Sequence, residues 1–254
     1  MSFAVAADAY DRFMGRYSVP LAPAFADFAG VTAGQHVVDV GCGPGALTAH
    51  LVGLLGPAAV AAVDPSDSFV EAARERHPDV TVERAAAEEL PFADGAFDVA
   101  LAQLVVHFMT DPIAGLREMA RVTRDGGIVA ACVWDHAAGG QGPLCVYWDA
   151  VRELDPNAPD ESALAGSREG DLAELLDAAG LRDVEESSLS VRVDHTTFEE
   201  WWEPYTLGVG PAGDYVAGLD SERRAELRKR CRAKLPPAPF TVDVRAWCAR
   251  ARAR

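Results

Sequence analysis

Three glycines in five positions, Gly41, Gly43 and Gly45 in 37-VVDVGCGPGALTAHL-51, constrain this chain more than any other feature. They follow the valine-rich run 36-HVVDV-40, which reads as a buried strand. They precede a segment that reads as a helix from about Ala46 to Leu55, stopped by Gly56-Pro57. Glycine lets a backbone turn sharply and approach a ligand without a Cβ clash. A strand, a glycine-rich turn and a helix N-terminus together form a site for a nucleotide-like ligand. Asp64 ends the next apolar run about 20 residues on, where a ribose hydroxyl pair is held in such sites. The plainer reading is a tight strand-to-helix turn and a helix-capping Asp.

The rhythm around this turn is that of βαβ units. Strands are predicted at 59-AVAAV-63, 80-VTVER-84, 97-FDVALAQ-103 and 128-IVAACVW-134. A helix lies between the first two, with Ser68 and Glu71 as a capping box and Pro78 beyond its end. Another starts at Asp111-Pro112, with Ile113, Leu116 and Ala120 on one face, and ends at Gly126-Gly127. Alternation of this kind means an α/β domain with a mostly parallel sheet and right-handed crossovers. After residue 134 the rhythm breaks. A helix over 168–180, a strand over 183–193 and a last strand over about 240–249 remain legible. The chain reads as one domain: 1–134 the ligand-binding core, 135–167 and 195–238 lid insertions, 240–250 the closing strand.

Composition narrows the function. The net charge of −16 argues against binding a polyanion such as DNA or RNA. The basic stretch 221-SERRAELRKRCRAK-234 reads as a helix whose solvated face balances an acidic body. Lys229 and Lys234 are the only lysines and both lie there, so the glycine turn is no P-loop and no Schiff-base lysine stands near it. Neither GxSxG nor HExxH occurs. Five cysteines without a CxxC pair, an N-terminus without a signal-peptide pattern and apolar runs too short for a membrane span lead to the expectation of a cytoplasmic protein. No metal-ligand spacing is present.

Gly41, Gly43 and Ala46 formally satisfy the GxGxxG/A pattern of NAD(P) enzymes. The sequence more closely resembles the class I S-adenosylmethionine-dependent methyltransferases, in particular the small-molecule group that includes quinone and sterol methylating enzymes. VVDVGCGPG is similar to that family's first motif, DPS at 64–66 to its ribose position, and 90-LPFADGAFDVALAQLVVHF-108 to its adenine loop and fourth strand. The segment 117-REMARVTRDGGIVAACVW-134 is similar to its following helix, loop and fifth strand. The resemblance implies a Rossmann-like fold, a seven-stranded sheet with an antiparallel final strand, and S-adenosylmethionine as cofactor. It implies that Asp39 and the backbone of Gly41, Cys42, Gly43 and Gly45 hold the methionine part, that Asp64 binds the ribose and that Pro65 packs on adenine. The family often places an acid where this chain has Ala86, so adenine recognition would fall to Ala87, Glu88 or water. Gln103 would lie against the methionine end, and Tyr10, Arg16 and Tyr17 of the leading helix would reach its carboxylate; an ordinary packing helix is the alternative.

Methyl transfer from a sulfonium needs alignment and water exclusion, and a base when the nucleophile is a hydroxyl or carbon acid. His107 after strand four and His136 after strand five stand where such a base belongs, with His107 the candidate; a structural histidine is the alternative. Trp134, Trp148, Trp201, Trp202 and Tyr205 offer flat apolar walls for an aromatic small substrate, or else form the lid's own core. The DNA-base methyltransferase segment D/N-P-P-Y/F is absent at Ala102-Gln103-Leu104-Val105, which again speaks against nucleic acid. A homodimer is compatible with this reading. An NAD(P)-dependent oxidoreductase and a non-catalytic cofactor-binding module remain as alternatives.

Overall fold

A computed structural model describes residues 7–254 apart from 138 and 159. Seven strands form one sheet in the order β3-β2-β1-β4-β5-β7-β6. They are β1 (Val37–Val40), β2 (Val60–Asp64), β3 (Thr81–Arg84), β4 (Phe97–Gln103), β5 (Thr123–Trp134), β6 (Arg182–His195) and β7 (Phe240–Arg252). The first five pair in parallel, and β7 runs antiparallel to both β5 and β6. The chain leaves β1 toward β2 and β3 on one side and returns to β4 and β5 on the other. Strands β1 and β4 therefore flank the switch point, where ligands bind beyond the strand carboxyl ends.

All residues of β1 and β2 are buried, as expected of central parallel strands covered on both faces. One face is covered by α2 (Arg16–Ala29) and α3 (Ala46–Leu55), which bring Leu21, Phe25, Leu47 and Leu51 to the core. The other face is covered by α5 (Pro112–Val122) and α7 (Asp171–Ala178) through Leu116, Met119, Leu172 and Leu176. Each such side chain contributes roughly 1.5–3 kcal/mol on burial. A π turn, Asp11–Gly15, joins the short α1 (Ala7–Tyr10) to α2 and aims Phe13 and Met14 inward.

Four further helices, α6 (Cys145–Leu154), α8 (Phe198–Trp202), α9 (Gly210–Ala217) and α10 (Ser221–Lys234), join the same core as α2 and α3. Here the aromatic residues pack on one another. Tyr147 stacks on Tyr205 at 4.5 Å and Trp201 lies 4.8 Å from Tyr205. The basic helix α10 turns Leu227 and Cys231 inward. Its cations meet local partners: Arg228 and Arg232 lie over the Phe198 ring, and Lys234 pairs with Glu153 at 2.6 Å.

Three boundaries differ from the sequence expectation. The helix after β2, α4 (Asp67–Arg76), starts after Ser66, so Ser68 is inside it and is not its cap. The Asp64 carboxylate accepts from Ser66 N at 2.9 Å and fixes the earlier start. Helix α5 ends at Val122, and Gly126-Gly127 falls inside β5. There a Cβ on Gly127 would sit 2.6 Å from Asp98 O, so close strand packing demanded that glycine. Strand β7 runs on to Arg252 because Gly126 N and Ala253 N find partners across it.

Candidate functional site

The glycine turn is built by its hydrogen bonds. Gly41 N and Cys42 N both donate to Val63 O, at 2.8 and 2.9 Å, tying the exit of β1 to β2. Gly41 has φ +73, and a Cβ there would lie 2.2 Å from Val105 Cγ2 and 2.7 Å from Val105 Cβ, so no other residue fits. Gly45, with φ +101, leads into α3. Asp64 closes the turn: Oδ2 accepts from Gly43 N at 2.9 Å while Oδ1 takes Ser66 N. Burial raises its pKa, and those two backbone donors oppose the rise.

Asp39 lies beneath the turn. Its Oδ2 accepts from Thr48 Oγ1 at 2.7 Å, and its buried Oδ1 has no partner. Burial pushes this carboxyl up to about 7, with the Thr48 bond holding it back.

Above the turn opens a cleft of about 660 Å³. Gly41, Gly43, Asp64, Pro65, Ala86, Ala87, Glu88, Gln103 and Tyr10 all line it. The structure thus brings together residues drawn from the ends of β1, β2 and β4, the loop before β4, and the leading helix. Gln103 donates through Nε2 to Ser18 O at 3.2 Å, and its buried Oε1 has no partner. Glu88 has a second duty: its Oε1 accepts from Thr110 N at 2.7 Å and Asp111 N at 3.1 Å, bracing the loop into α5.

Other expected residues stand back from the cleft. Cys42 is buried with its thiol donating to Gly43 O, and Asp39 and Gly45 support the wall from behind. Arg16 and Tyr17 do not reach the cleft. Arg16 Nη1 donates to Glu200 O at 3.0 Å and meets His195 Nδ1, and the Tyr17 hydroxyl faces His195 Nε2. These two residues tie the leading helix to the end of β6 and to α8. A π turn ahead of them rotates that face of the helix, which residue spacing alone does not reveal.

Phe69, Arg84, Val105, Phe108, Met109 and Thr110 also line the cleft, in addition to the residues expected from the sequence. The run 104–110 follows β4 at the switch point, and that position was the available signal. Leu104 there has φ +63, a strained conformation for a branched residue.

A smaller chamber of about 40 Å³, room for a few waters, adjoins the cleft. Tyr10, Leu104 and Phe108 line both spaces and form the partition between them. Its apolar walls include Phe13, Met14, Trp134, Leu144 and the 209–212 segment; its polar groups include His107, His136 and Glu161. The two imidazoles lie 5.9 Å apart, and among the described residues the buried Nδ1 of each, and the buried Nε1 of Trp134, have no partner. Burial depresses both histidines, His136 to about 4, and His107 is lowered further by its neighbour His136. Both rings are therefore neutral at pH 7, each with one acceptor nitrogen.

Of the aromatic residues, Trp134 lines this chamber, whereas Trp148, Trp201, Trp202 and Tyr205 do not line it and are buried in the hydrophobic core, the second of the two placements expected for them. Asp135, next to His136, is held by Arg245 at 2.7 Å and by the backbone of Gln141. Among the described residues no group of three or more His, Cys, Asp or Glu could hold a metal ion, and no helix is long and apolar enough to cross a membrane.

Comparison with known proteins bears on this geometry. Residues 38–131 match the family model described as a methyltransferase domain. The chain is 37% identical over 106 residues to a ubiquinone/menaquinone biosynthesis C-methyltransferase of Bdellovibrio bacteriovorus, covering 40% of this chain and 45% of that one. It is 36% identical over 135 residues to an O-methyltransferase of Penicillium expansum, covering 50% of this chain and 45% of the relative. The chain therefore spans less than half the length of either relative. Among solved structures, a phosphoethanolamine N-methyltransferase of Haemonchus contortus, complexed with phosphomonomethylethanolamine and S-adenosylhomocysteine, aligns with a TM-score of 0.58. That alignment covers all of this chain and 61% of the other at 18% identity, which shows a shared fold. The matched residues contain the glycine turn, Asp64 and the whole partition after β4.

Proposed function

We propose that this chain, a member of the class I S-adenosylmethionine-dependent methyltransferase family, transfers a methyl group to a small, apolar or aromatic organic molecule. The observation that carries the proposal is the junction of two spaces at Tyr10, Leu104 and Phe108. One is a large cleft of mixed polar and apolar lining at the switch point; the other is a small apolar chamber holding two neutral imidazoles.

The residues present fit the cofactor. Gly43 lines the cleft with open space around the position a Cβ would take, and among the described residues the buried Gln103 Oε1 on the cleft wall has no partner. Bound S-adenosylmethionine would supply an electrophilic methyl on a sulfonium. Asp64 would receive the ribose hydroxyls, Pro65 would flank the adenine, and Ala87 with the braced Glu88 would border its edge. Gly41 and Gly43 would hold the methionine end, braced from behind by Asp39, with Gln103 beside it. Tyr10, Leu104 and Phe108 would position the nucleophile and keep water from the line of displacement.

In this proposal His107 accepts the nucleophile's proton. A strongly depressed imidazole is a weak base, so it suits an acidic nucleophile such as a phenol, a quinol or an enolisable carbon better than an aliphatic alcohol. The chamber is smaller than an aromatic ring requires, so entry would displace the 209–212 wall, which adjoins Gly208 and includes Gly210, both at positive φ. The partner is a small molecule, and an acidic surface keeps polyanions away.

The test is methyl transfer from radiolabelled S-adenosylmethionine to hydroquinones, phenols and matched aliphatic alcohols. Labelled product from the acidic nucleophiles, with little from the alcohols, is expected. No labelled product from any of them, with the protein folded and the cofactor bound, would refute the substrate class.

A further inference from the structure

We propose that Glu161 determines the substrate specificity of the small chamber: it takes a hydrogen-bond donor, hydroxyl or amine, carried on an apolar body, and it turns away carboxylates and phosphates. This rests on reading the chamber as the substrate end of the site.

Glu161 comes from the 135–167 segment, outside the residues matched by the family model. It is only 4% exposed and lines the chamber. Among the described residues its carboxylate has one hydrogen bond, from Trp148 Nε1 to Oε2 at 2.8 Å. A buried carboxyl with a single donor is expensive to keep, and an amide or hydroxyl would satisfy the same indole. Its surroundings explain the acid better than the indole does. Among the described residues His107 Nδ1, His136 Nδ1 and Trp134 Nε1 are buried without partners on the same walls, a polar set around an apolar space, which is the pattern of a ligand site.

The position is rigid. Arg152 pairs with Asp160 on one side of Glu161. Asp160 Oδ1 in turn accepts from Ser162 N at 3.0 Å and from its hydroxyl at 2.6 Å. Leu164 N donates to Glu161 O at 3.2 Å. The carboxylate is thus held by its flanks and oriented by Trp148 before any ligand arrives, as a recognition group should be. Burial pushes its carboxyl up to about 7, so a donor arriving near neutral pH can draw it into the ionised state.

Charge accounts for the exclusion. Among the described residues no Arg or Lys stands on the chamber wall, and both imidazoles are uncharged at pH 7. An anionic ligand would enter a buried space without a counter-ion and beside a carboxyl, which is strongly unfavourable.

The experiment loads the full chain with S-adenosylhomocysteine and titrates it with phenol, benzylamine, toluene and benzoate by ligand-observed NMR. At least one of phenol and benzylamine should bind about tenfold more tightly than toluene, the gain of one charge-assisted hydrogen bond, and which of the two does so separates hydroxyl from amine. Benzoate should not bind. Glu161→Gln keeps an acceptor for Trp148, so it should fold and hold S-adenosylhomocysteine as before, keep its toluene affinity, and lose most of the donor advantage. Toluene binding as well as both donors, benzoate binding, no probe entering, or a donor advantage unchanged in Glu161→Gln would each overturn the role of Glu161. Failure of the unaltered protein to bind S-adenosylhomocysteine would instead remove the methyltransferase reading beneath it.

Discussion

Gly41→Ala tests whether the turn has the tight geometry described. The residue has φ +73, where an L side chain is destabilised by roughly 1–2 kcal/mol. Its new Cβ would also meet Val105 Cγ2 at 2.2 Å, Cβ at 2.7 Å and Cγ1 at 2.9 Å. Because Val105 Cβ is itself too close, rotating that side chain cannot relieve the overlap. Overpacking of this kind costs about 1–3 kcal/mol, so the substitution should destabilise the protein by roughly 2–5 kcal/mol in all. For a chain of this size that lowers Tm by roughly 5–15 °C. Gly43→Ala is the control: φ is +54 but nothing lies within 4 Å of its Cβ, so only the conformational part should appear. The assay is urea unfolding of Gly41→Ala, Val105→Gly and the double variant, because only glycine at 105 removes the Cβ as well as both methyls. The double variant should recover about 1–3 kcal/mol relative to the sum of the singles, the overlap alone. Additivity to within about 0.5 kcal/mol would refute the contact between the turn and the segment after β4.

Other outcomes follow from the same geometry. Asp64→Ala should weaken S-adenosylhomocysteine by roughly 1–3 kcal/mol in calorimetry, and unaltered affinity would contradict its ribose role. His107→Ala should reduce turnover at least about tenfold with cofactor affinity nearly constant, whereas unchanged turnover would remove it from the mechanism. Asp39 titrates near 7 when folded against 3.8 as its ordinary value, so the folded state holds its proton more tightly. Stability from this group is full below pH 4 and is lost as pH rises toward 7; Asp39→Asn should flatten that part of the stability–pH curve, measured as the difference from the unaltered protein. His136, lowered to about 4 from 6.5, acts in the opposite sense. Its contribution is present above pH 6.5 and is lost on acidification through pH 4, and His136→Gln should remove that loss.

The turn and its acid were legible because their constraints are local. Val63 O, the backbone of residues 41–43 and Asp64 lie within two neighbouring parallel strands, so residue spacing alone brings them together. Strand β4 was read to the residue because its apolar run is bounded by a turn signal on one side and the cleft on the other. What the sequence hid depends on orientation. Trp134 lines the chamber while Trp148 and Trp201 are buried in the core away from it, and nothing in a tryptophan's neighbours announces which. Arg16 looked like a carboxylate clamp until the π turn ahead of it pointed it at His195 and Glu200. Glu161 sits in a Gly-, Pro- and Asp-rich stretch without periodicity, where a carboxylate reads as one more solvated charge; only the fold reveals its burial.

Parallel calorimetric titration of the purified chain with S-adenosylmethionine, S-adenosylhomocysteine, NADH and NADPH tests the central claim most directly. The account predicts micromolar binding of the two sulfur compounds and none of the nicotinamides, with Asp64→Ala weakening both sulfur ligands. Binding of a nicotinamide, or of none of the four, would contradict it.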